Sequence, residues 1–104
     1  MNLEKLKSSI ENDSIEWVKH VLQRMLTRGV SRSDVKYAIL KGELIEDYPD
    51  DKPFPSALFF CIINNRPIHA VAALNEENMK TYIITVYEPS LDVFERGYKT
   101  RRKR

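Results

Sequence analysis

The apolar positions of this chain change period once, near residue 43. Before that point they recur every three to four residues, which predicts helices; after it they alternate or run together, which predicts strands. Leu3, Leu6 and Ile10 sit at helical spacing, so residues 2–11 predict a short first helix, or an extension of the next one. Asn12, Asp13 and Ser14 break the pattern with good N-cap residues. Ile15, Val18, Val21, Leu22, Met25 and Leu26 then form one apolar stripe, which predicts a helix ended by Gly29. A third helix opens at Ser31, with Asp34 near capping-box spacing and Val30 and Val35 positioned as a hydrophobic staple. It runs to Lys41, with Gly42 as its C′ residue.

Leu44–Tyr48 predicts a short strand. Pro49, Pro53 and Pro55 exclude regular structure from the next stretch. Ala57–Ile63 is apolar on both faces, as a strand with neighbours on either side should be. Asn64–Pro67 is a turn, Ile68–Leu74 the next strand, and Asn75–Lys80 a polar connection. Thr81–Glu88 is a fourth strand, stopped by Pro89; Ser90–Tyr98 is a short helix or irregular. The pattern predicts an α+β fold, with two to three N-terminal helices packed on a four-stranded, mainly antiparallel sheet. A single domain covers residues 1–104, with a core over residues 15–100 and a basic tail at 96–104.

Composition narrows the function classes. At 42% hydrophobic, the 104 residues can build a core without a disulfide or a metal. Cys61 stands alone, so no internal disulfide can form, which fits a reducing compartment. The first fourteen residues lack the apolar segment of a secretory signal, and no apolar run nears the roughly 18–20 residues of a spanning helix. A cytoplasmic protein without membrane contact is expected. Gly29, Gly42 and Gly97 make no phosphate loop, and one cysteine with two histidines gives no zinc spacing. No cofactor and no metal are expected.

The charge is uneven. Arg96–Arg104 holds six of the 17 basic residues and no acid, leaving 11 basic residues against all 15 acids elsewhere. A compact basic cluster of this kind recruits a polyanion or helps to form a phosphate site. Phe94 and Tyr98 could dock it on the sheet; otherwise it is a solvated terminus.

Three further groups could carry chemistry. His20, Arg24 and Arg28 follow one another at four-residue steps on the second helix, as a solvated cationic flank or an edge aimed at a phosphate. His69 interrupts an apolar strand, as a structural imidazole or as a general base or acid. Thr85 and Tyr87 share a strand face, for packing or for meeting a phosphate or base. The carboxylates around the proline-rich loop, Glu43, Glu46, Asp47, Asp50 and Asp51, have no recognisable hydrolase or metal spacing.

In order, the motifs are His-x3-Arg-x3-Arg-Gly-Val-Ser (His20–Ser31), Asp-Val-x2-Ala-Ile (Asp34–Ile39), Gly42, Pro-Ile-His (Pro67–His69), Ile-Thr-Val-Tyr-x-Pro (Ile84–Pro89) and Arg-Arg-Lys (Arg101–Lys103). This series resembles domain-of-unknown-function family 4258, a set of small bacterial proteins, over roughly residues 15–103. The resemblance implies a RelE-like fold, as in ribonuclease toxins of toxin–antitoxin pairs. It also implies RNA as substrate and a small antitoxin partner of zinc-finger or helix-turn-helix type, and it leaves a homodimer open. The positions matching the pattern are His20, Arg24, His69, Thr85, Tyr87, Arg101 and Arg102. Phe94 stands where a Trp is expected, and the central strands lack the dense Lys/Arg set of ribosome-dependent nucleases.

The expected activity is metal-independent RNA cleavage, which needs a base for the 2′-OH, an acid for the 5′-oxygen and cations for the phosphorane. His69 and His20, with Tyr87, are the candidate catalytic residues; Arg24, Arg101, Arg102 and Thr85 are the candidate phosphate ligands. The alternative is a noncatalytic RNA- or protein-binding module of the same fold.

Overall fold

The computed structural model describes residues 1–103; Arg104, the end of the basic tail, lies outside the described residues. Three helices, α1 (Leu3–Glu11), α2 (Lys19–Arg28) and α3 (Arg32–Lys41), pack on one face of a five-stranded mixed sheet. The strands are β1 (Ile15–Trp17), β2 (Glu43–Tyr48), β3 (Ser56–Ile63), β4 (Arg66–Asn75) and β5 (Lys80–Tyr87), in the order β1-β5-β4-β3-β2. Among the described residues only the β1–β5 pair is parallel. Leu6, Ile10, Val21, Met25, Val35 and Ile39 meet Phe59, Ala70, Ala72 and Ile83 in one core. Among the described residues no helix is long and apolar enough to cross a membrane.

The fifth strand corrects the helix expected from Ile15 onward. Ile15 and Trp17 pack against the core while Glu16 is exposed, a period of two. Asp13, at φ 59°, turns the chain out of α1, and Thr81 N donates to Ser14 O at 3.0 Å to start the parallel pairing. Asn12 thus ends α1 rather than opening α2, whose N-cap Val18 provides no side-chain bond. Because α2 starts at Lys19, its buried residues are Val21 and Met25, and Leu26 is 84% exposed.

Around α3 the local chemistry follows the sequence. Asp34 N donates to Ser31 Oγ at 3.0 Å and Ser31 N to Asp34 Oδ2 at 2.9 Å, a complete capping box. Val30 and Val35 are both buried beside it. Gly42 is not left-handed, with φ −79° and ψ −173°, and so differs from the expected C′ glycine. β3 and β4 join through Asn64 and Asn65, both at positive φ, and Pro67 precedes the first β4–β5 pair at His69.

β4 alternates Ile68, Ala70, Ala72 and Leu74 into the helix-covered core, which leaves His69, Val71 and Ala73 on the opposite, open face. Cross-strand register puts Phe60 and Tyr87 beside His69 there.

Candidate functional site

After β5 the chain turns back across that open face. Val93 N and Phe94 N donate to Ser90 O, at 3.1 and 2.9 Å, and form a tight turn. Phe94 and Arg101 then pair as an antiparallel bridge, flanked by Glu95 N donating to Thr100 O and Arg102 N to Val93 O, each at 2.8 Å. Gly97 (φ 91°) and Tyr98 (φ 63°) make the reversal between them. Phe94 anchors this strap: it is 1% exposed, with its ring edge-on to His69 at 4.6 Å. The Ser90–Tyr98 stretch is therefore irregular rather than helical, and the described part of the basic tail is folded onto the sheet.

His69 is fully buried beneath the strap. Its Nε2 lies 2.7 Å from the Tyr98 carbonyl oxygen, which can only accept, so Nε2 carries the proton. Nδ1 then accepts from the Tyr87 hydroxyl at 3.2 Å. Burial pushes the imidazole below its ordinary pKa, against the opposing pulls of the Tyr98 carbonyl and Glu46. His69 is thus a neutral group that fixes Tyr87.

Next to this pair, Glu46 and Tyr48 project together from β2, two residues apart on one strand face. Arg101 Nε donates to Glu46 Oε2 at 2.9 Å and to Oε1 at 3.2 Å, and the Tyr48 hydroxyl donates to Oε1. Arg101 also lies over the Phe94 ring, 4.9 Å from its centroid. Burial raises the pKa of both phenols, and Glu46 reinforces the rise; Arg101 pulls both back. Glu46 holds Arg101 above the ordinary guanidinium range. Of the described titratable groups displaced from their ordinary values, only Cys61 lies outside this cluster. Such clustering marks candidate functional sites.

The structure therefore brings together His69, Tyr87 and Arg101 from the sequence-predicted set. Thr85 shares their sheet face, paired with Val71, but among the described residues makes no side-chain hydrogen bond to the cluster. Arg102 turns away, with Nε 2.5 Å from Leu91 O. His20 and Arg24 are exposed on α2 and are not among the groups that contact His69. The third member of that stripe, Arg28, is a strut: Nη1 donates to Val86 O at 2.6 Å, on the part of β5 beyond its pairing with β1. Sequence reasoning missed Glu46 and Tyr48. Their i, i+2 spacing on a strand was a usable signal, but a bulge between Leu44 and Glu46 decides which face they reach.

These features define a small α+β protein, with helices on one sheet face and a carboxylate–guanidinium–phenol–imidazole cluster on the other. Residues 17–88 match the model of the family described as Domain of unknown function (DUF4258), and the chain belongs to that family. The match contains Glu46, Tyr48, His69 and Tyr87 and ends at Glu88, before the strap and short of the expected residue 103. Comparison with curated proteins and with solved structures finds no match.

Proposed function

We propose that this protein is a metal-independent endoribonuclease of the toxin kind, RelE-like in fold, whose reaction centre is the cluster on the open sheet face. The observation that carries this reading is Arg101, returned by the strap onto Glu46 and within the electrostatic reach of both phenols. Its Nε holds Glu46 and its guanidinium also engages the Tyr48 and Tyr87 phenols, so one cation gathers the groups that would surround a phosphodiester.

Glu46 is the base. Its carboxylate takes the 2′-OH proton, the 2′-oxygen attacks phosphorus, and the P–O5′ bond breaks. Tyr48, whose raised pKa keeps it protonated, gives its proton to the departing O5′. The Glu46–Tyr48 hydrogen bond then returns the captured proton. Arg101 faces the charge that builds on the phosphorane. Tyr87 donates to the same oxygens when it leaves Nδ1, and His69 acts through it as a positioning residue. Buried and neutral, His69 replaces neither base nor acid here, and His20 stands outside the centre. The toxin reading carries with it the small antitoxin partner that the resemblance implies.

The test is incubation of purified protein with unstructured RNA in EDTA. The expected products have 2′,3′-cyclic phosphate and 5′-hydroxyl ends, and Glu46→Gln slows their formation by about 100-fold or more. An unchanged rate for Glu46→Gln overturns the mechanism. RNA binding that weakens steeply with salt, with no product, transfers the reading to a noncatalytic RNA-binding module. That alternative has its own support, because Glu46 is already filled by Arg101 and Tyr48.

A further inference from the structure

Along the sheet from the cluster lies a cavity of about 470 Å³ that the proposed reaction does not use. Its lining includes Ala73, Ile84, Phe54 and Tyr82, with His20 and Lys52. Phe54 and Tyr82 form a stacked pair, with centroids 5.5 Å apart and planes 15° apart. Tyr82 pairs across the strands with Ala73, so both share the open face with His69. Ala73 is four residues beyond His69 on β4, about 13 Å at strand rise, a span that one short oligonucleotide bridges. Ile84 is the extra residue of the β5 bulge opposite Val71 and Ala72, and is 45% exposed.

The chemistry of the lining selects a ligand class. An apolar cavity with a stacked aromatic pair accepts a flat ring on its π-face. Two exposed nitrogen-bearing side chains, His20 and Lys52, share it, and among the described residues neither makes a side-chain hydrogen bond or ion pair. The one carboxylate of the lining is engaged: Asp51 Oδ2 accepts from Ser56 Oγ at 2.6 Å and Oδ1 from Lys52 N at 2.9 Å. A flat ring joined to an anion meets both halves of this lining.

We infer that the cavity is a nucleotide subsite. One base of a bound RNA stacks against Tyr82 and Phe54, and its phosphate is met by Lys52 and His20. The inference deepens the ribonuclease reading and rests on it for the RNA; the cavity's own affinity for a nucleotide can be measured apart from cleavage.

The experiment titrates the full chain with adenosine and uridine 5′-monophosphates, and with inorganic phosphate, by calorimetry. RNA cleavage is followed in parallel. Saturable binding of a monophosphate is expected, tighter than inorganic phosphate, and weakened about tenfold by Tyr82→Ala. Lys52→Ala and His20→Ala, at exposed positions, keep the fold and weaken it several-fold. No binding at millimolar monophosphate overturns the inference, as does binding that all three variants leave unchanged. Inorganic phosphate binding as tightly as the monophosphates overturns the base-stacking assignment. If the monophosphates bind as expected and RNA is not cut, the ribonuclease reading fails and the subsite stands. If RNA is cut but Lys52→Ala and Tyr82→Ala leave KM unchanged, the subsite alone fails.

Discussion

A methyl group placed at Gly42 would lie 2.2 Å from the Ala38 carbonyl oxygen and 2.5 Å from that of Phe60. Both atoms are backbone, so the end of α3 cannot move off β3 to make room. Gly42→Ala is expected to lower stability by about 1–3 kcal/mol or more, measured by urea unfolding. A change near zero would show that the helix end can shift. His69 sets a second expectation. Its folded pKa lies below the ordinary value of about 6.5, so below that pH the unfolded state binds more protons. This contribution is therefore complete above about pH 6.5 and is lost as pH falls towards the lowered folded value. Unfolding of the wild type and of His69→Gln, compared at about pH 5 and pH 7.5, should show a steeper acid loss in the wild type. Equal slopes contradict the burial argument. His69 was legible as a polar intruder in an apolar strand and Tyr87 as a tyrosine at a strand end, whereas the other partner was not, because it is a backbone carbonyl twenty-nine residues away.

At the scale of elements, the strap determines how the site is built. Phe94 packs against His69 and under Arg101, so one side chain couples the core of the open face to the cation. Phe94→Ala should cost about 3–5 kcal/mol. It should also bring the His69 pKa back up towards its ordinary value, as water reaches the ring. NMR titration of the imidazole measures this, and an unmoved pKa would contradict it. The helices α1 and α3, the turn at Asn64–Asn65 and strands β2 to β5 were all legible, because capping, period and turn chemistry agree locally. β1 was not. Ile15, Trp17 and Val18 come before Val21, and three apolar residues at the start of a stripe fit either period. The parallel partner at Thr81–Ile83 lies far along the chain, and nothing local records it.

For the whole molecule, the uneven charge is partly resolved within the fold. Lys99 pairs with Glu43 at 3.1 Å and Arg101 with Glu46, so the basic tail meets the acidic edge strand β2. Exposed pairs of this kind are individually weak and screened by salt. The family match holds four members of the cluster, and the strap brings the fifth, Arg101, from outside it. The sequence allowed the basic tail to be read as a polyanion site docked on the sheet by Phe94 and Tyr98, but not the pairing of Arg101 with Glu46, because that depends on the β2 bulge and the strap's reversal. The most direct measurement of the central claim is the RNA cleavage rate in EDTA for the wild type, Arg101→Ala and Arg24→Ala. Loss of about 100-fold or more in Arg101→Ala, with Arg24→Ala close to the wild type, is the predicted result. Full activity in Arg101→Ala, or a large loss confined to Arg24→Ala, would contradict it.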